Sequence, residues 1–289
     1  MYIHISVEKV SAPPRLVWCA TLWSMVGQPA RREWSLPRKF AEIARAGFDG
    51  VVEMYRPEFA PHLARHGLAL CGRVFSRHGR DTARLLRIEA AGGARYVNCM
   101  LGRHDQAPAE AVPLIARVLR QAQRLGLEAH VETHRDTCTE TPEKIVELAR
   151  RYEDLTGHLL PLTWDHSHLA VVKHLEPTAG ARRLLAETRL IQHSRLFHCR
   201  PFASQHAQVP VTDGRDRLTP EFRDYLGFAE ELFTVWLRGP QPRGELWVCP
   251  ELGAVPGYHL SVHPPVWPDA VRCRDELDGA WRRALRRVR

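Results

Sequence analysis

The stretch LPRKFAEIARAGFDGVVEM, residues 36–54, contains the unit from which the fold is built. Phe40, Ile43 and Ala44 are spaced three and one residues apart, which predicts a helix with one buried apolar face. A glycine turn follows, and residues 50–53 form a short apolar run typical of a buried strand. A helix that leads directly into a strand predicts parallel strands joined by helical crossovers.

The same unit recurs along the whole chain. Apolar runs predict eight strands, at residues 15–25, 49–54, 68–75, 94–101, 127–133, 159–166, 194–200 and 245–252. Amphipathic stretches predict a helix after each, at residues 36–48, 58–67, 81–93, 107–126, 141–152, 180–190, 219–239 and 269–287. Eight such units in 289 residues predict an α/β protein with residues 1–289 forming a single (β/α)8 TIM barrel domain. An open doubly wound sheet that binds dinucleotides is the alternative, but no G-x-G-x-x-G follows the first strand.

Composition indicates a cytoplasmic globular protein. Apolar residues make up 44% and charged residues 26%, and no apolar run approaches the roughly 20 residues that span a bilayer. Residues 1–10 lack the basic and apolar pattern of a signal peptide. The seven cysteines are scattered without a C-x-x-C pair, which fits reduced thiols better than a disulfide framework.

The net charge of +8 raises the question of nucleic-acid binding. Only four of the 41 basic residues are Lys, and the Arg residues are spread along the chain, often near acidic ones. We therefore expect a solvated, Arg-rich surface and no nucleic-acid partner, with a phosphate-binding face as the alternative interpretation.

Ionisable side chains stand at the ends of the last four predicted strands. These residues are Glu132, Asp165, His198 and Glu251. Taken singly, each has an ordinary structural explanation, such as a solvated strand end, a helix cap or a hydrogen-bonded core histidine. Together they would lie on the C-terminal rim of a barrel, where (β/α)8 enzymes keep their active sites. Oxygen and imidazole donors without a thiolate predict one divalent ion, Mn²⁺, Zn²⁺, Co²⁺ or Mg²⁺.

The motifs around these residues resemble those of a known group. HVETH at 130–134, WDHSH at 164–168, LFHCR at 196–200 and PELG at 250–253 are similar to the motifs of the xylose isomerase-like TIM barrel superfamily. That group includes sugar epimerases and isomerases, inosose dehydratase and endonuclease IV. The resemblance implies the same four metal ligands, a substrate contact at His168, a carbohydrate substrate, and a homodimer or homotetramer.

Two positions depart from the pattern of many ketose epimerases in the group. Cys138 stands where an acidic residue is common, six positions after the first Glu, and Ser204 stands where an Arg is common. These departures argue against a free ketohexose as substrate. Glu53, His134 and Arg135 are instead predicted to line the pocket, with plain surface positions as the alternative for His134 and Arg135.

We therefore expect a metal-dependent isomerase or epimerase of a sugar or a sugar-like hydroxy-ketone. The metal would polarise the carbonyl, and Glu132 or Glu251 would remove the neighbouring proton to give an enediolate. The other Glu would return a proton on the opposite face. A cyclic-polyol dehydratase that uses the same base is a close variant.

Two further functions remain open from the sequence. An abasic-site endonuclease of the same group would bind three metal ions through additional His and Asp ligands. His78 and His104 lie several residues past the third and fourth strands, and no D-x-H follows His198, which argues against it. A barrel that binds a ligand without turning it over is the non-enzymatic alternative.

Overall fold

The structure is a computed structural model that describes residues 13–28, 32–241 and 244–289. Residues 1–10, where a signal peptide was considered, lie outside the described residues. The prediction that residues 1–289 form one domain stays a prediction.

Eight parallel strands close into a barrel in chain order. The strands are β1 (Arg15–Ala20), β2 (Gly50–Glu53), β3 (Ala69–Ser76), β4 (Tyr96–Leu101), β5 (Glu128–Glu132), β6 (Leu162–Asp165), β7 (Leu196–His198) and β8 (Glu245–Cys249). The barrel closes where β1 pairs with β8, from Arg15 opposite Glu245 to Trp18 opposite Val248. The predicted (β/α)8 barrel is confirmed.

Helices surround the barrel. They are α1 (Leu36–Arg45), α2 (Ala60–His66), α3 (Thr82–Ala91), α4 (Pro108–Arg124), α5 (Pro142–Thr156), α6 (His166–Lys173), α7 (Pro177–Leu184), α8 (Thr188–Gln192), α9 (Pro220–Leu237) and α10 (Val266–Val288). Short 3₁₀ helices lie at Leu22–Met25 and Pro57–Phe59. In the part of the chain that the structure describes, no helix is both long and apolar enough to cross a bilayer.

Alternation along the strands divides the core in two. On β1, Val17 and Cys19 belong to a small cluster inside the barrel, whereas Trp18 and Ala20 belong to the large cluster between the barrel and its helices. Because successive strand residues point to opposite faces, every second residue of each strand is directed inward. This alternation decides which side chains can reach the site.

Local signals in the sequence explain several helix ends. Thr141 and Thr219 each cap a helix by accepting a hydrogen bond from a backbone N–H three residues on, with Pro at the next position. Gly67 ends α2 with φ of 63°, a left-handed conformation that favours glycine. These ends follow the predicted positions.

The region between β6 and β7 differs from the prediction. The single helix expected at 180–190 is wrong, because α7 ends at Leu184 and α8 begins at Thr188. Leu184 and Leu190 are both buried, yet on one continuous helix their side chains would point about 120° apart, at roughly 100° per residue. Breaking the helix allows both side chains to face the core. Helix α6, directly after β6, was not predicted.

All seven cysteines are buried free thiols. Cys19, Cys71 and Cys249 belong to the cluster inside the barrel, below the polar rim. The expectation of reduced cysteines without a disulfide framework agrees with this arrangement.

Candidate metal centre

Four strand ends bring Glu132, Asp165, His198 and Glu251 together at the C-terminal rim. Glu132, Asp165 and His198 are the last residues of β5, β6 and β7, and Glu251 lies two residues past β8. His198 is in register with Asp165 on one side and Cys249 on the other. All four occupy inward-facing positions of the strand alternation, so their side chains converge.

The donor atoms of these four residues all lie within 4.8 Å of one another, and each residue is at most 2% exposed. His198 Nδ1 lies 3.2 Å from Glu132 Oε1 and 2.9 Å from Glu251 Oε2. Three carboxylates this close repel one another unless a cation or a proton offsets their charge. Three carboxylates and one imidazole are a donor set that fits a divalent ion of the Mn²⁺, Mg²⁺, Co²⁺ or Zn²⁺ type.

His198 and the carboxylates shift one another's pKa values. Burial alone would lower the pKa of His198, but Glu251 and Glu132 outweigh it and raise the pKa to about 10. Burial would raise the pKa of Glu132 and Glu251, yet the imidazolium of His198 holds both below their ordinary range. The pKa of Asp165 is raised, because burial outweighs the nearby Arg200.

Neighbouring side chains fix the orientation of Glu132. Asn98 on β4 donates a hydrogen bond from Nδ2 to Glu132 Oε2, and the Thr139 hydroxyl donates to the Glu132 backbone carbonyl. Asn98 is fully buried and occupies an inward-facing position of the barrel. The Glu132 carboxylate is therefore held with Oε1 towards His198.

Asp165 has two separate sets of partners. Oδ1 accepts hydrogen bonds from the Ser167 backbone N–H at 2.9 Å and the Ser167 hydroxyl at 2.5 Å, which caps α6. Oδ2 lies 3.1 Å from Arg200 Nη2 and 3.4 Å from His168 Nε2. One oxygen thus holds the helix and the other faces the site.

Arg200 lies inside the cluster. Its Nη2 donates to Glu251 Oε2 at 2.7 Å and to Asp165 Oδ2 at 3.1 Å, and the residue is 2% exposed. The guanidinium packs against two aromatic rings, 4.5 Å from the Tyr258 centroid and 5.4 Å from the Trp23 centroid. Sequence reasoning missed it, although it lies two residues past His198 and so has the same inward direction.

The residues predicted to line the pocket lie around this cluster. The ring centroids of His134 and His168 are 4.1 Å apart, and Arg135 packs 4.7 Å from the Tyr258 centroid. Glu53 Oε1 accepts a hydrogen bond from the Leu22 N–H at 2.6 Å. Their roles in binding substrate remain predictions.

Three more residues near the cluster were missed besides Arg200. Asn98, Arg73 and Tyr258 are neither histidines nor acids, so a pattern of metal-binding residue types does not include them. Arg73 Nη2 lies 3.9 Å from Glu251 Oε1. Arg73 also lowers the pKa of Glu53, but burial outweighs this effect and the pKa is raised. Arg73 and Asn98 are paired in the β3–β4 register, so the inward strand alternation could have identified both.

The extra ligands of a three-metal nuclease are not found among the described residues. The metal-type clusters there are the four-residue cluster and a group of Glu132, His134 and His168 that shares Glu132. The His104 side chain is 57% exposed and pairs with Asp136 at 3.1 Å. This geometry fits one divalent ion better than three.

Comparison with solved structures identifies the type of barrel. An L-ribulose 3-epimerase matches over 94% of this chain and 96% of its own, with a TM-score of 0.60 and 14% identity. The two chains share the (β/α)8 barrel fold. A D-allulose 3-epimerase from Methylomonas sp. matches over 94% and 99%, with a TM-score of 0.57 and 15% identity.

A xylose isomerase-like TIM barrel protein from Mycobacterium smegmatis, solved in complex with magnesium, also matches. It covers 93% of this chain and 98% of its own, with a TM-score of 0.55 and 15% identity. No protein-family model and no curated protein matches the chain. At these identities, the likeness to these solved structures shows the fold alone.

Proposed function

We propose that the protein is a divalent-metal-dependent isomerase or epimerase of a sugar or sugar-like hydroxy-ketone. The observation that carries the proposal is the pair of buried Glu132 and Glu251 on either side of His198, with Asp165 completing the donor set. Solved barrels of the same fold include enzymes named as 3-epimerases of L-ribulose and D-allulose, which agrees with it.

Glu132, Asp165, His198 and Glu251 would hold the ion. When bound, a divalent ion acts as a Lewis acid that makes the C–H next to a carbonyl more acidic. Glu132 and Glu251 supply the proton transfers. Because both pKa values lie below the ordinary range, both carboxylates are ionised near neutral pH and either can accept a proton.

The two carboxylates reach the cluster from different strands, which suits removal of a proton on one face and its return on the other. Asn98 keeps Glu132 in a fixed orientation, and a fixed base needs no reorganisation when the proton moves. His168 is fully buried beside Asp165, and burial holds its pKa well below the ordinary value. A neutral imidazole at this position would bind a substrate hydroxyl.

Exchange of substrate protons with solvent deuterium tests the proposal. The purified protein with Mn²⁺ in D₂O should incorporate deuterium next to the carbonyl of a hydroxy-ketone, with dihydroxyacetone as the first substrate followed by NMR. E132Q should lower the exchange rate by about 10² or more, the usual scale for loss of a general base. E147Q, which changes a partly exposed carboxylate on α5, should leave the rate unchanged.

Unchanged exchange in both E132Q and E251Q would contradict the proposed roles. Tight binding of a sugar by the Mn²⁺-loaded protein without exchange or turnover would favour the binding-protein alternative. Loss of water from a cyclic polyol that carries a keto group, followed by the appearance of a conjugated carbonyl absorbance, would identify the dehydratase variant.

A further inference from the structure

Arg200 is a permanent charge enclosed in the candidate site with part of its hydrogen-bonding capacity unused. Nη2 binds Glu251 and Asp165, whereas Nη1 is buried and has no partner within the described parts of the chain. Leaving a buried charged donor unpaired is costly, so such a group usually has a ligand or water as its partner. Tyr258 and Trp23 flank the guanidinium and keep its plane fixed.

Metal binding would free more of this donor. The oxygens that Arg200 contacts, Glu251 Oε2 and Asp165 Oδ2, belong to residues that would hold the ion. A carboxylate shared with a divalent ion is a weaker acceptor for a guanidinium. Arg200 would then need an acceptor that the described protein residues do not supply.

The balance of charge points in the same direction. The pocket contains the three ligand carboxylates and Glu53, opposed by the guanidinium groups of Arg73, Arg200 and Arg135. With a divalent ion bound, the ion and these seven groups would carry one net positive charge in a largely buried site. One anionic group on the substrate would neutralise it.

We infer that Arg200 binds an anionic oxygen group of the substrate, a carboxylate or a phosphate, and that the enzyme therefore prefers an anionic hydroxy-ketone to a neutral ketose. The inference rests on the proposed function. A guanidinium fits either anion because its planar donors pair with two oxygens at once.

Binding of three small achiral hydroxy-ketones to the Mn²⁺-loaded protein tests the inference. Dihydroxyacetone is neutral, hydroxypyruvate carries a carboxylate and dihydroxyacetone phosphate carries a phosphate. Calorimetric titration should give a dissociation constant at least tenfold lower for one of the two anions than for dihydroxyacetone. The anion that binds more tightly shows whether the site prefers a carboxylate or a phosphate.

Variants assign the preference to Arg200. R200Q should abolish the preference, so that the dissociation constants for dihydroxyacetone and for the anion differ by less than threefold, and R200K should retain part of the preference because it keeps the charge without the planar pair of donors. R77Q is the matched control, because Arg77 lies just past β3 on the same rim but is exposed and paired with Asp136. It should leave the preference unchanged.

Equal affinities for the three ligands in the wild type would overturn the inference, as would a preference that survives in R200Q. Either result with one Mn²⁺ bound per chain leaves the proposed function standing. Failure to bind Mn²⁺ would instead contradict the proposed function. The inference would then fall with it, so the amount of Mn²⁺ bound per chain distinguishes the two failures.

Discussion

At the scale of single residues, a proton and a metal ion would compete for His198. Its pKa is raised to about 10 by Glu251 and Glu132, so at neutral pH Nδ1 carries a proton that a metal must displace. Below that pKa, the affinity for Mn²⁺ should therefore rise about tenfold for each unit of increasing pH. Competition with a fluorescent chelator between pH 6 and 8 measures this slope.

The control for the pH prediction is H198Q, which cannot hold that proton. It should bind Mn²⁺ more weakly and with a flatter dependence on pH. A wild-type affinity that does not change with pH would show that His198 is already neutral in the metal-free protein.

The two oxygens of Asp165 make separable contributions. D165N keeps an oxygen that can cap α6 but loses the charge that faces Arg200, whereas D165A loses both. Both variants should lose Mn²⁺ binding. D165A should be less stable than D165N by about 1 kcal/mol, the usual contribution of a helix N-cap. Urea unfolding of the metal-free variants measures the difference, and equal stability would show that the cap contributes nothing.

At the scale of elements, the segment after β8 packs tightly against the segment after β1. A Cβ added at Gly253 would lie 2.7 Å from the ring of Trp23, a rigid side chain that also contacts Arg200 and Tyr258. G253A should therefore destabilise the protein by about 1–3 kcal/mol, the usual cost of overpacking. Thermal or urea unfolding provides the measurement.

A second substitution tests the reason for this loss. In the double variant G253A/W23L, the smaller side chain leaves space for the new methyl group. The G253A change should then lower the free energy of unfolding by less than it does in the wild-type background, which gives a favourable coupling energy between the two positions. Additive effects would mean that Gly253 is required for another reason.

The strands and the four ligand candidates could be predicted from sequence because short-range patterns determine them. Apolar runs fix the strands, and the residue type at each strand end fixes Glu132, Asp165, His198 and Glu251. The break between α7 and α8 was missed because the burial of Leu190 depends on contacts from elsewhere in the chain. Arg200 and Tyr258 were missed because their proximity depends on how loops from different strands pack at the rim.

At the scale of the whole molecule, the four ligand candidates lie on one half of the barrel. They come from β5 to β8, so a bound ion would tie these four strands together and leave β1 to β4 without a ligand. Mn²⁺ at 100 times its dissociation constant should stabilise the fold by about 2.7 kcal/mol. Hydrogen exchange should show added protection mainly at the C-terminal ends of β5 to β8, and EDTA should reverse it.

The number of metal ions distinguishes the isomerase from the nuclease interpretation. The single four-residue cluster in the described part of the chain predicts about one Mn²⁺ per chain by elemental analysis after dialysis. About three ions per chain would favour a three-metal phosphodiesterase and contradict the proposed function.

The seven buried thiols can report on transient opening of the barrel. They lie on or beside β1, β3, β4, β5, β7 and β8 and on α10, so they sample nearly the full circumference of the barrel. A thiol-reactive dye would modify them only in molecules that have transiently separated their strands or helices. The order in which the seven sulfurs become labelled would therefore map where the closed ring first comes apart, without introducing any foreign reporter group.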